Sequence, residues 1–189
     1  FNDIPLLVDP GRGAYGEAGT SVLYRSADVH NTLTVSGHGP YPTNKPYYND
    51  VFRTIISGRP PSFNIEGDKV FLAHNGFKRL TGVGMHSRQW QFSKKDMSLS
   101  DDIQGKGAQS ITRRFVTPLK AKADAGRVVL THYGSAGDQS FLLYSPNAAA
   151  VVSKTILWQA YGKARDGYSI SFSAEATLPW FGEIRLEVI

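Results

Sequence analysis

Cysteine is absent from the 189 residues. That removes disulfides, thiolate nucleophiles and every zinc pattern built on Cys at a stroke, and it leaves the cellular compartment open. Long apolar runs are also missing. The longest candidates are short pieces such as Asn147-Ala-Ala-Ala-Val-Val152, far below the roughly 18 residues a membrane-spanning helix needs, so no such span is expected. The opening Phe1-Asn-Asp-Ile-Pro-Leu-Leu-Val8 has neither the basic start nor the continuous apolar core of a signal peptide. With Phe rather than Met in first place, the expectation is that a leader or a domain precedes it. Blocks of like charge are lacking too. The net charge is +5, from 21 Lys+Arg against 16 Asp+Glu, but the densest basic pairs are only Lys94-Lys95 and Arg113-Arg114. Scattered cations do not make a nucleic-acid arm, so nucleic acid is not expected; charge alone points to no partner, and an acidic glycan becomes the better anionic candidate only with other evidence.

What the chain does have is ordinary globular composition, with 41% hydrophobic and 20% charged residues. At this length a single domain with a full core is the simplest organisation. Helix signals are nearly absent. Short alternating or β-branched segments recur between clusters of Gly, Pro, Asn and Asp. The expected strands are Ile4–Val8, Ser21–Arg25, Asn31–Val35, Val51–Ile56, Ser62–Glu66, Val70–His74 and Met85–Phe92. They continue with Met97–Asp102, Ser110–Phe115, Arg127–Thr131, Ser140–Tyr144, Val151–Trp158, Tyr168–Phe172 and Glu183–Ile189. This pattern predicts an all-β fold, an antiparallel two-sheet sandwich of jelly-roll type over residues 1–189. In the last strand Ile184, Leu186 and Val188 share one side and Glu183, Arg185 and Glu187 the other, so one face is buried and one wet. Between strands, Glu66-Gly67-Asp68, Asn75-Gly76 and Ala136-Gly137-Asp138 carry turn chemistry. The stretch from Ser36 to Asn49 is longer and rich in Gly, Pro, Tyr and Asn, a surface excursion or the wall of a cleft.

Residues able to carry chemistry concentrate near the start, in Leu6-Leu-Val-Asp-Pro-Gly-Arg-Gly-Ala-Tyr-Gly16 and in Tyr24-Arg-Ser-Ala-Asp-Val-His-Asn-Thr-Leu-Thr-Val35. Alternation puts Leu33 and Val35 on one face and His30, Thr32 and Thr34 on the other, so His30 faces away from the core. There it can bind a metal or a carboxylate, or simply lie on the surface. Asp9 before Pro10 and Gly11 is a natural turn former. Arg25 and Tyr24 can face a glycan, since guanidinium grips carboxylates through a two-point fork, or can serve structure alone. His74 and His86 read as hydrogen-bonding groups inside the sheet. Tyr41, Tyr47 and Tyr48 can stack on sugar rings or seal a core edge.

Several ordered pieces resemble the C-terminal β-sandwich of heparinase II/III-like polysaccharide lyases. They are Val8-Asp-Pro-Gly11, a Tyr a few residues on, Arg25-Ser26 and His30-Asn31-Thr32, then Ala73-His-Asn-Gly-Phe77 and His86-Ser-Arg88. Leu99-Ser-Asp-Asp-Ile-Gln-Gly-Lys-Gly107 and Arg114-Phe-Val-Thr-Pro118 follow, so the resemblance spans at least residues 5–118. Ser36-Gly37, Asn75-Gly76-Phe77 and His86-Ser-Arg88 stand where that family often has Asp-Gly, Asp-Gly-Tyr and His-Arg-Arg, departures that bear on the substrate more than on the fold.

The resemblance implies an upstream helical toroid domain as intramolecular partner, an acidic, uronate-containing polysaccharide as substrate, and a periplasmic or secreted location. It implies β-elimination as the reaction, with the catalytic tyrosine on the toroid and no catalytic residue in this chain, which alone is expected to be inactive. It further implies a substrate-binding set of Tyr24, Arg25, His30 and Asn31. Zinc or another divalent cation is implied at Asp9 and His30, with a third ligand supplied from upstream. The competing reading is a non-catalytic carbohydrate-binding or structural β module, because a fold never fixes a function by itself.

Overall fold

The computed structural model describes residues 1–16, 18–41, 60–135 and 137–189. The strand expected at Val51–Ile56, together with Tyr47 and Tyr48, lies outside them. Ten strands form one antiparallel hydrogen-bonded sheet: β1 (Leu33–Val35), β2 (Ser62–Glu66), β3 (Lys69–His74), β4 (Val83–Phe92) and β5 (Asp96–Thr117). They are followed by β6 (Lys120–Asp124), β7 (Arg127–His132), β8 (Gln139–Tyr144), β9 (Ala150–Ala160) and β10 (Lys163–Val188). The spatial order is β2-β3-β4-β5-β10-β8-β7-β6, with β1 also on β5 and β9 also on β10. The all-β antiparallel expectation holds.

Two long strands make two layers out of this one sheet. Ile170, Phe172, Ile184 and Leu186 of β10 belong to a single buried cluster. A straight strand would carry Ile170 and Ile184 about 46 Å apart, so β10 has to curl. The bend falls where Leu178 pairs with Gly107 and Trp180 with Ile103, leaving extra β5 residues opposite Pro179. Gly105 (φ +143°) and Gly107 (φ +89°) supply the backbone for it. A Cβ on Gly105 would stand 2.2 Å from the Gly82 carbonyl oxygen, a contact only glycine permits. The sequence expectation split β5 into Met97–Asp102 and Ser110–Phe115, and β10 into Tyr168–Phe172 and Glu183–Ile189, at the segments that hold these glycines and Pro179. They are bulges inside continuous strands.

The main core packs Leu99, Phe115, Val128, Leu130, Phe141 and Leu143 against the two halves of β10. A second cluster unites Leu33 and Val35 of β1 with Phe77, Val83, Ile103, Ile111 and Leu178.

Two further expectations are corrected. Ser21–Arg25 is not a strand: Thr20–Leu23 is a single helical turn, α1, entered through Gly19 at φ +61°. Ser21 and Tyr24, three apart, are the buried residues, which is helical spacing rather than alternation. Ile4–Val8 is not a strand either, with a bend at Leu7; it is tied by the Val8 amide to the Val116 carbonyl at 2.9 Å while Ile4, Leu6 and Leu7 pack on the main core. Strand β6, Lys-Ala-Lys-Ala-Asp, escaped notice because Ala and Lys favour strands poorly. Pairing with β7 across the positive-φ turn Ala125-Gly126 imposes it.

Candidate functional site

The segment before β1 folds back on the chain's opening residues. Gly11, at φ +67°, donates its amide to Asp9 Oδ1 at 2.8 Å, an Asx turn that fixes the carboxylate. The other oxygen, Oδ2, lies 2.7 Å from His30 Nδ1, so the imidazole and the carboxylate predicted to converge are in contact. His30 Nε2 faces the Tyr24 carbonyl at 3.0 Å. Carboxylate and carbonyl are both acceptors, so both ring nitrogens are directed at groups of the protein itself. Asp9 stays 67% exposed and His30 30% exposed on their side chains, so the pair is open to solvent and adds little to stability, about 0–1 kcal/mol.

Two of the expected glycan contacts turn into the protein instead. Tyr24 is buried, its hydroxyl donates to the Ile156 carbonyl at 3.0 Å, and its ring meets Trp158 edge-on at 6.2 Å. Asn31 donates from Nδ2 to the Val8 carbonyl at 3.0 Å and accepts the Val116 amide on Oδ1 at 2.6 Å. It therefore stitches the opening segment to β5, which keeps its amide turned into the protein. Arg25 follows α1, half-buried.

Beside this pair lies a shelf that the sequence reading did not assemble. The Arg12 guanidinium sits 3.9 Å from the centre of the Tyr15 ring, and Tyr15 stacks on Tyr161 at 5.7 Å and 20°. Both tyrosines are largely exposed, at 75% and 68%. The shelf lies flat because Gly11 and Gly13 press onto Trp158. A Cβ on Gly13 would be 2.3 Å from the indole, one on Gly11 2.2 Å from the Trp158 carbonyl oxygen, and the Trp158 amide donates to the Pro10 carbonyl at 2.7 Å. Arg12 Nε and Trp158 Nε1 are buried without a hydrogen-bond partner among the described residues. Exposed rings with a cation over one of them suit a sugar ring bearing an anionic group. The local signal was Gly-Arg-Gly-Ala-Tyr; Tyr161 comes from a distant hairpin that no spacing rule connects to it.

The family described as Heparinase II/III-like, C-terminal matches residues 1–177. The chain belongs to that family. No curated protein sequence matches it. Among solved structures, a mutant of the heparan sulfate lyase HepC from Pedobacter heparinus aligns over 97% of this chain at a TM-score of 0.71 and 14% identity. A heparinase III aligns over the same share at 0.68 and 15%. The chain spans only 28% of the length of each. Identities this low carry the fold alone.

Within the heparinase II/III-like framework, the metal reading of Asp9 and His30 can be tested against the geometry. Zinc wants at least three protein ligands. Among the described residues no set of three His, Cys, Asp or Glu side chains converges, and both nitrogens of His30 already face acceptors. The described residues do not fit a metal by themselves; what they form is a hydrogen-bonded pair.

A second ionisable group of residues lies buried under the sheet. Gly76 N–H donates to His74 Nδ1 at 3.1 Å, so the His74 hydrogen sits on Nε2, 3.1 Å from His86 Nδ1. His86 Nε2 then donates to Asp101 Oδ1 at 2.8 Å, and Arg88 grips both Asp101 oxygens at 2.6 and 3.1 Å. Every link has a donor and an acceptor, as the expected in-sheet role of the two histidines requires. Burial, with the nearby His86 and Arg88, lowers the His74 pKa to about 4 against the opposing pull of Asp101. Burial alone would raise Asp101, but Arg88 and the hydrogen bonds from His86 and Arg88 outweigh it and hold it at about 2. Tyr41 closes this chain of side chains from outside, its ring 5.7 Å from His74.

Proposed function

We propose that this domain forms one wall of the cleft of a polysaccharide lyase that cleaves a uronate-containing glycan by β-elimination. The reaction removes the proton at C5 of the uronate, which is feasible only when charge growing on the adjacent carboxylate is neutralised. Arg12, on the shelf beside the Asp9–His30 pair, supplies a cation for that purpose, and His30, held by Asp9 and turned onto the Tyr24 carbonyl, positions this rim. Tyr15 and Tyr161 give the sugar ring a stacking surface. The base and the proton donor come from outside these residues, so the domain positions and neutralises rather than completes the reaction. The observation that carries this reading is the 2.7 Å contact between Asp9 and His30 inside a chain of the heparinase II/III-like family.

The test uses the whole protein that carries this domain, offered alginate, heparan sulfate and related uronate polymers, with the ultraviolet absorbance of the unsaturated product as readout. Product is expected from at least one polymer, and His30→Gln is expected to lower the rate about 10²-fold or more with the thermal midpoint retained. An undiminished rate in that variant refutes the role of His30. If no polymer gives product while the domain still binds acidic oligosaccharides, the non-catalytic module is the correct reading.

A further inference from the structure

Beyond the Gly105–Gly107 bend, the other half of β5 presents a different surface. Strand register puts Ser62, Ala73, Ser87, Asp102 and Phe181 abreast across β2, β3, β4, β5 and β10. The next rank is Asn64, Phe71, Gln89, Ser100 and Glu183. Both ranks face away from the layer that buries His86, Arg88 and Asp101, since neighbours along a strand alternate. All of them except Glu183 line a cleft of about 440 Å³, within the range of about 300–1,000 Å³ usual for small-molecule sites. Phe181, 60% exposed, stands along one side, and Phe63, 63% exposed, along the edge.

The lining selects its occupant. Phenyl faces with hydroxyls, amides and a carboxylate match a ring that has apolar C–H faces and an equator of hydroxyl groups. Charge narrows the choice further. Arg88 brings no charge into the cleft, because its side chain points to the opposite face and its guanidinium grips Asp101. The charged head at the wall is thus the Asp102 carboxylate, since Glu183 lies outside the lining and is paired with Arg185. Sulfate or uronate groups would be repelled there, whereas neutral hydroxyls can donate to Asp102. A protein partner fits less well, because the centres of protein interfaces are depleted in Ser and Asp. We infer that this cleft is a binding site for uncharged sugar residues, separate from the Asp9–His30 rim. The inference stands whether or not the domain serves a lyase.

The experiment is a calorimetric and NMR titration of the 189-residue chain with neutral probes (cellohexaose, maltohexaose, xylohexaose and chitotetraose) and with an acidic one, a heparin tetrasaccharide. Saturable binding of at least one neutral probe is expected, with amide shifts at Ser87, Gln89 and Ser100. Phe181→Ala removes an exposed ring and no core contact; it is expected to weaken binding about tenfold, as is Asp102→Asn. A circular-dichroism melt checks that each variant is folded. No saturation by any neutral probe, equal affinity in Phe181→Ala, or a preference for the acidic probe at these residues would each overturn the inference.

Discussion

Acidification should unlock the domain from inside, and His74 should be the first group to act. In the folded chain Nδ1 of His74 accepts the Gly76 amide; a proton there sets two donors against each other under a closed sheet. Its pKa is lowered from 6.5 to about 4, mainly by burial. Between those values the unfolded chain binds a proton that the folded chain refuses, so stability falls as pH falls. The span is about 2.5 units, or about 3 kcal/mol, all of it recovered above pH 6.5. Asp101 extends the effect with the opposite chemistry. Its pKa drops from 3.8 to about 2 because Arg88 and His86 outweigh burial. That stabilisation is complete above pH 3.8 and about 2 kcal/mol of it disappears by pH 2. Urea unfolding at intervals from pH 7.5 to 4 measures the first part. The wild-type chain should lose about 3 kcal/mol across the window, and His74→Gln, which cannot take up a proton, should lose far less. A wild-type curve flat from pH 7 to 4.5, or an unchanged slope in the variant, would refute the reasoning, whatever the variant's absolute stability.

Two other substitutions probe how the rim is built. Asn31→Ala leaves the Val8 carbonyl and the Val116 amide without their partner, and a loss of about 2–3 kcal/mol in urea unfolding is expected; a change below about 0.5 kcal/mol would deny its stitching role. Gly11→Ala places a Cβ 2.2 Å from the Trp158 carbonyl oxygen at a left-handed φ of +67°. It should cost more than about 1 kcal/mol and shift tryptophan fluorescence, and a neutral outcome would mean that the shelf does not depend on that close approach.

The fold was legible wherever one side of a strand meets the core and the other meets water. Ile184 and Leu186 are buried, as their alternation with Glu183, Arg185 and Glu187 requires. Legibility failed where tertiary pairing overrides local preference. Gly105 and Gly107 look like a turn in isolation, yet the continuous partner β10 carries the chain straight through them as a bend. Lys120–Asp124 becomes a strand only because β7 offers it a ladder. Within the site, the alternation expected from His30 to Val35 does not hold, since β1 begins at Leu33 and Thr34 is buried; the link of His30 to Asp9 came from family resemblance, since no spacing rule reports that a turn at residue 9 meets a bend at residue 30.

The inward contacts of Tyr24 and Asn31 have one cause. Polar residues beside a candidate histidine look available to a ligand, but buried backbone groups nearby compete for them, and the backbone is always present. Val8, Val116 and Ile156 offer carbonyls and an amide at the seam between the opening segment, β5 and β9, and Asn31 and Tyr24 satisfy them. The side chains that stay largely exposed are Tyr15, Tyr161 and Asp9, the last even though one of its oxygens accepts the Gly11 amide. The seam holds the rim rigid, and the residues it does not use form the surface. A ligand at this rim should therefore meet the Arg12–Tyr15–Tyr161 shelf and the edge of His30 while Tyr24 and Asn31 stay turned inward, holding the backbone beneath it.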